Sequence, residues 1–452
     1  MTAGPGVRPE EKTIVAWSFG LFFFVFASWY VLRPLRDAMG LAGSVRDLPH
    51  LFLATLGVTL VLAPALSAIV SRYPRRRFLR LAYRFLLASL LLFFVLLVQG
   101  PGGDPFLARA FFVWASVFNL FAITLAWALM ADVFSCAQGI RLFALIGGGG
   151  TLGAMFGSLA TSLLVARAGA PFTLLVAAAF LEGAARCAGR VVMLAPPPTD
   201  ARAYARGGVL RWLGHVVTSR FFLAICAYLA LFTVTSTVLY FEQARIVAAS
   251  LPDTALRAQL FARIDLAVNA ATLLLQLFVV GRAVRFFGIA TALAALPVFT
   301  FACFGALYAA PVLGVLVVCQ VARRALDLAF TKPAREVLFT VVSPEDKYKA
   351  KSLIDTFVYR SGDALGALGF EGLGGSSLLG AMAVVCAGWA LLGVALGRVT
   401  RPATGSGLRP AEDRAPNHPE CAPPITSPIA STPPTGSSAA TRERGGPGPM
   451  PW

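Results

Sequence analysis

Thr13–Leu32 reads TIVAWSFGLFFFVFASWYVL, twenty residues without a charge, and RPLRDAMG (Arg33–Gly40) follows it at once. About 20 apolar residues, each rising 1.5 Å, cover the roughly 30 Å hydrocarbon core of a bilayer, so the stretch reads as a membrane-spanning helix. Two arginines, a proline and an aspartate at its mouth admit two readings. Arginines at helix ends snorkel to lipid headgroups, which would make the cluster an anchor. Alternatively, Arg33, Arg36 and Asp37 form a binding site for an anionic solute. Pro34 favours the site, because a proline kinks or ends a helix and re-aims the side chains after it. Asp37 favours it too, since an aspartate adds nothing to an anchor.

The whole chain has the same character. Of its 452 residues 57% are hydrophobic and 13% charged, with mean hydropathy +0.74. Soluble proteins carry roughly 25% charged residues, so this is an integral membrane protein with the lipid bilayer as its surroundings. The formal charge of +17 could suggest nucleic-acid binding. That requires basic patches on a soluble domain, whereas these arginines punctuate apolar runs; no nucleic-acid partner is expected. Seven cysteines form no CxxC pair, and six lie in or beside apolar runs as small hydrophobes. The three histidines (His50, His215, His418) stand at no metal-ligand spacing. We expect no metal, no cofactor and no enzyme active site.

Clean apolar runs are Thr13–Leu32, His50–Val70, Ala110–Ala131, Leu142–Val165, Phe221–Tyr240 and Ser376–Gly397. Phe85–Val98 becomes a span when Leu81–Arg84 is added. Phe286–Val321 is split in two at Ala309–Pro311. Pro171–Ala195, Leu260–Val280 and Lys351–Gly372 carry charges inside them. The expectation is an all-α integral membrane protein of about twelve helices. It divides into a six-helix half over 1–195, a linker over 196–220, a second half over 221–398 and a disordered tail over 399–452. Arginines crowd loop 2–3 (Ser71–Arg80) and the mid-chain linker, with further basic residues at Arg282, Arg285, Lys332, Arg335, Lys347 and Lys349. The alternate loops hold few. Both termini are therefore expected in the cytoplasm, and the chain is expected as a multi-pass protein of the cell's inner membrane.

Charges within spans are costly and must face the protein interior or a water-filled cavity. Glu182 and Arg186 form an i,i+4 pair that is either structural or cavity-lining. Glu242 with Arg245, and Arg263 with Asp265, read as interfacial. In KSLIDTFVYRSGDALGAL (Lys351–Leu368), Asp363 lies about 80° around the helix from Asp355, with Arg360 about 60° beyond it, so the three share one side. Four of the chain's five lysines fall between Lys332 and Lys351, although Arg outnumbers Lys 34 to 5. The glycines of GGGGTLGAMFGS (Gly147–Ser158) lack the Lys-Ser/Thr of a nucleotide P-loop. Gly149, Gly153 and Gly157, four residues apart, instead suit close helix packing in lipid.

Termini inside, two six-helix halves and basic loop 2–3 resemble the major facilitator superfamily. Its GxxxDRxGRR signature has Ser67, Ser71-Arg72, Pro74 and Arg75–Arg77 at corresponding positions, so the cations are kept and the Asp and both Gly are lost. Within it, YVLRPLRDAMG (Tyr30–Gly40), KPAREVLF (Lys332–Phe339) and DKYKAKSLID (Asp346–Asp355) resemble the nucleotide translocase family, the ATP/ADP antiporters, and most closely its free-living bacterial branch. Against the family's YxxLRDxKD, Leu32, Arg33 and Asp37 match, Tyr30 stands one residue closer to the leucine than the motif's tyrosine, and Arg36 stands where a substrate-critical lysine does. Against KGKAAID, Lys349, Lys351, Ile354 and Asp355 match. Asp363 stands where a second essential lysine does, which reverses a charge.

The resemblance implies a secondary transporter exchanging nucleotides such as ATP and ADP, with Arg33, Arg36, Asp37 and Lys351 on the substrate. The charges inside the spans add Arg360 to the substrate set and Asp355, Asp363, Glu182 and Arg186 as candidates for coupling or gating, and the carrier is expected to be a monomer. One alternative is proton-coupled transport of a less charged anion. A non-transporting sensor or scaffold on a transporter fold is another.

Overall fold

The computed structural model describes residues 7–72, 75–100, 104–195, 219–338, 358–372 and 375–399, and among them all regular structure is helical. Before the undescribed segment 196–218 come α1 (Lys12–Gly40), α2 (Leu48–Arg72), α3 (Arg75–Gln99), α4 (Pro105–Val133) and α5 (Cys136–Leu194). After it come α6 (Arg220–Ser250), α7 (Thr254–Leu275), α8 (Gly281–Ala309), α9 (Leu313–Leu326), α10 (Lys332–Leu338), α11 (Tyr359–Gly372) and α12 (Gly375–Val399). Two π-helical turns, Gln276–Val280 and Asp327–Thr331, join α7 to α8 and α9 to α10. The linker and tail expected from the sequence fall largely outside the described residues.

Several helices begin where a polar side chain can take up backbone N–H groups that have no partner in the first turn. Asp104 accepts from the Phe106 N–H at 2.9 Å, with Pro105 in the first turn of α4. Ser135 and Gln138 cap α5 reciprocally. Asp253 accepts from the Ala255 N–H at 3.1 Å to open α7.

The longest element, the 59-residue α5, contains two crossings. Added Cβ atoms on Gly149, Gly153 and Gly157 would run into the backbone carbonyls of Phe19, Phe23 and Ala27. Both residue series ascend together, so this part of α5 runs parallel to α1. Beyond it, Ala177 accepts a hydrogen bond from Ser28 (2.9 Å), and Gly183 abuts the ring of Phe24. That second series descends along α1, so the chain has reversed. The reversal lies at Gly169, whose φ of 81° and ψ of 167° suit only glycine, two residues before Pro171. The break expected between Val165 and Pro171 is present, and the glycine stripe has the packing role expected of it.

The same device recurs after the segment 196–218. Gly362 of α11 sits against Thr233 and the Ala230 carbonyl of α6, and Gly366 against Thr237 and the Val234 carbonyl. Here too the series ascend together. Small residues every four positions allow the backbones of two parallel helices to touch.

Among the described residues nine helices are long and apolar enough to cross a membrane. One of them is Arg141–Leu194, which reverses within itself. The most apolar, Arg77–Gln99, has only 17% of its most apolar window buried. Its exposed Leu81, Phe85, Leu92 and Val98 need lipid to cover them.

Three boundaries differ from expectation, for one reason. α1 does not end near Leu32; it runs through Pro34 to Gly40. Helical structure does not stop at Val321 either, but continues through Arg323, Arg324 and Asp327 to Leu338, so Lys332 and Arg335 are helical and not in a loop. The expected loop 8–9 is helical from Gly281 and departs from helical geometry at Gly288 (φ 72°). Hydropathy stops a helix at its first charges, whereas a helix facing an internal cavity carries charge along its length.

Candidate functional site

A cavity of about 420 Å³ opens between α1, α2, α6, α7, α9 with its π turn, and α11. Its wall includes four guanidiniums, Arg33, Arg36, Arg323 and Arg324, and four carboxylates, Asp37, Asp265, Asp327 and Asp363. These charges come from helices on both sides of the segment 196–218.

α1 places Arg33, Arg36 and Asp37 together, since residues three and four apart share a helix face. Arg33 NH1 donates to Asp265 Oδ1 of α7 at 3.0 Å. Arg324 NH1 approaches the same oxygen at 2.7 Å. Asp265 is 3% exposed. Arg36 donates through Nε and NH2 to Asp37 Oδ1 (2.9 and 2.6 Å), with its NH1 3.4 Å from Ser116 Oγ. Its guanidinium lies over the rings of Trp29 (5.5 Å) and Phe112 (5.1 Å), which holds the cation away from lipid. Tyr240 of α6 donates its hydroxyl to Asp37 Oδ1 at 3.1 Å. Both arginines of the opening cluster are thus turned into the bundle and hydrogen-bonded there. Neither reaches outward as an anchor does.

On the other wall, Arg323 donates to Ser236 Oγ and, at 3.3 Å, to Thr300 Oγ1. Among the described residues its hydrogen bonds go to hydroxyls and not to a carboxylate. Asp327, one turn on, keeps Oδ1 buried without a hydrogen-bond partner among the described residues. Thr237 donates to Asp363 Oδ1 at 3.0 Å. Arg335 lies over Phe232 (5.3 Å) and Tyr359 (5.9 Å).

Of the residues picked out from the sequence, Arg33, Arg36, Asp37 and Asp363 meet in this cavity. Lys351 and Asp355 lie outside the described residues, as does the side chain of Arg360. Glu182 and Arg186 do pair (3.1 Å), and Arg84 of α3 joins them at 2.6 Å. Arg84 and Arg186 line a groove between α3 and α5 with Leu79 and Tyr83, none of them among the residues that line the cavity, and the Arg186 side chain is 76% exposed. The interfacial reading of Asp265 is corrected. Arg263 is exposed, but Asp265 is buried between two arginines, because two residues along a helix turn a side chain to the opposite side. Sequence reasoning passed over Arg323, Arg324 and Asp327. Their signal was present as RRALD (Arg323–Asp327), two cations and a carboxylate one turn apart, directly continuing an apolar helix.

No family model and no curated protein matches the sequence. Solved structures do match the fold. The nucleoside transporter NupG is 14% identical, with a TM-score of 0.56 over 86% of this chain and 98% of that one. The POT family transporter PepTSo is 11% identical, with a TM-score of 0.61 over 86% and 98%. A bacterial homologue of the iron transporter ferroportin, in an inward-facing state, is 12% identical with a TM-score of 0.60 over 86% and 98%. The fold is that of secondary membrane transporters of the major facilitator type.

Proposed function

We propose that this chain, built on the fold of the major facilitator transporters, is a secondary transporter of a small organic anion. Helices α1–α5 and α6–α12 are the two halves that alternate access to the cavity between them. The observation that carries this reading is the set of four arginines that both halves turn into one cavity. Guanidinium forks are suited to carboxylate and phosphate, and buried charges inside a membrane mark a solute path.

The balance of charge selects within that class. Four arginines face four aspartates, so the described wall is neutral before a solute arrives. A solute of one or two negative charges can be held by rearranging these pairs. A triphosphate brings three or four charges, each repelled by about 3 kcal/mol for every unpaired carboxylate at about 6 Å and an effective dielectric near 20. Exchange of nucleotides is the second reading. The motif at Tyr30–Asp37 favours it, as do the aromatic walls Tyr30, Phe232 and Tyr240 on which a base could stack.

A thermal-shift screen on the purified protein tests the class. Mono- and dianionic carboxylates and phosphates should raise Tm, with a ligand at 100 times its Kd adding about 2.7 kcal/mol. Stabilisation by ATP and ADP alone would select the nucleotide reading; stabilisation by neutral or cationic solutes alone would dismiss both. Bound anions that produce no flux in proteoliposomes would point to a sensor. Orientation has its own test. Reporter fusions after Gly102 and after Arg206 should report opposite sides of the membrane, with Arg206 cytoplasmic, because the linker is arginine-rich. The same side for both would end the two-times-six arrangement.

A further inference from the structure

The contact between Arg33, Asp265 and Arg324 has an unusual form. An arginine and a carboxylate usually meet as two forks, with two parallel hydrogen bonds. Here two guanidiniums, from α1 and α9, converge on the same Oδ1 of Asp265, each with NH1 nearest, at 3.0 and 2.7 Å, and among the described residues only one hydrogen bond forms, from Arg33 NH1. Among the described residues neither makes another hydrogen bond or ion pair. Both side chains line the cavity and are about a fifth exposed there, at 23% and 19%, while the Asp265 side chain is 4% exposed. The Nδ2 of Asn269, one turn on, donates to the Asp265 backbone carbonyl at 2.8 Å and leaves the carboxylate to the arginines. The result is two cations from opposite halves, held side by side by one oxygen, with most of their donors uncommitted among the described residues.

We propose that Asp265 is an internal counter-anion standing in for the head group of the solute. A carboxylate or phosphate entering the cavity takes the uncommitted donors of Arg33 and Arg324, bridges the two halves, and releases Asp265 from its shared contact. This rests on the transport reading and extends it in two ways. It assigns the anionic head to a subsite made of one arginine from each half. It also accounts for return of the empty carrier. Two adjacent guanidiniums without a counter-anion are costly to enclose at low dielectric, and Asp265 supplies one whenever the solute is absent. The carrier can then turn over empty and give net uptake, whereas Asp265→Asn should need a bound anion to cross and should favour exchange.

The experiment uses acetate and inorganic phosphate as probes, on purified full-length protein. Asp265→Ala should lower Tm, and sodium acetate should restore more than half of the loss. Sodium chloride at equal ionic strength and neutral acetamide should restore little, and the wild type should respond weakly to acetate. Adding Arg33→Ala to Asp265→Ala should remove the acetate response. An equal acetate response in the single and double variants would overturn the proposal. Should Asp265→Ala fail to fold, Asp265→Asn preserves the side-chain volume. Its Tm should then rise with phosphate by more than that of the wild type, and an equal or smaller rise would overturn the proposal as well. These readouts are independent of flux. Acetate rescue in a protein that transports no anion would therefore sink the transport reading alone.

Discussion

Gly153→Ala should abolish correct folding or cost more than about 3 kcal/mol, the upper end for overpacking a well-packed interior, although it adds a single methyl group. The methyl would meet the backbone carbonyl of Phe23 and not the movable end of a side chain, so relief requires α1 and α5 to move apart. That separation would be felt along the whole contact, because Gly149 and Gly157 press on Phe19 and Ala27 in the same register. It would also shift Arg33, two turns beyond Phe26 on α1, away from Asp265. Gly147→Ala is the control. It lies on the same helix with nothing among the described residues within 4 Å of the added carbon, so stability should change by less than about 1 kcal/mol. Yield and Tm of the two variants, measured side by side in detergent, decide the matter. Equal behaviour would mean that α1 and α5 are not in contact as described.

Arg36→Ala should lose anion binding and should also destabilise the protein by about 3 kcal/mol, the scale for removing one partner of a buried ion pair. Its guanidinium supplies two of the three hydrogen bonds on Asp37 Oδ1, and the third comes from Tyr240. Removing the cation strands a carboxylate whose side chain is 7% exposed. The double variant Arg36→Ala/Asp37→Asn relieves that cost, so it should regain most of the lost Tm while still failing to bind the ligand identified by thermal shift. Arg36→Lys should retain some function, because the charge remains while the fork is lost. The comparison separates a site from an anchor. Normal binding by correctly inserted Arg36→Ala/Asp37→Asn would remove Arg36 from the solute path.

Reading the sequence for periodicity and charge recovered the elements whose cause is local. Membrane residence followed from composition, since no fold of 452 residues can hide so much apolar surface from water without lipid. The reversal between the two crossings of α5 was legible because glycine and proline act through their own backbone geometry. The stripe Gly149–Gly157 was legible because a four-residue repeat of small side chains has few other uses in a membrane. Arg33 and Arg36 were recognisable as costly charges, and α1 alone put them beside Asp37.

Their partners were decided by tertiary structure. Arg33 meets Asp265, which lies 232 positions away, and Arg324 joins them from a third helix. Nothing in the order of residues assigns those faces to one another. A soluble helix announces its buried side by a stripe of apolar residues, but a helix in lipid is apolar all round. The few charges reveal that some face is internal, yet not which neighbour it meets. Hydropathy also cut α1 and α9 short at the charges that matter, because it scores each residue by the cost of exposing it to lipid. Only the packed bundle, which encloses those charges in a shared cavity, removes that cost.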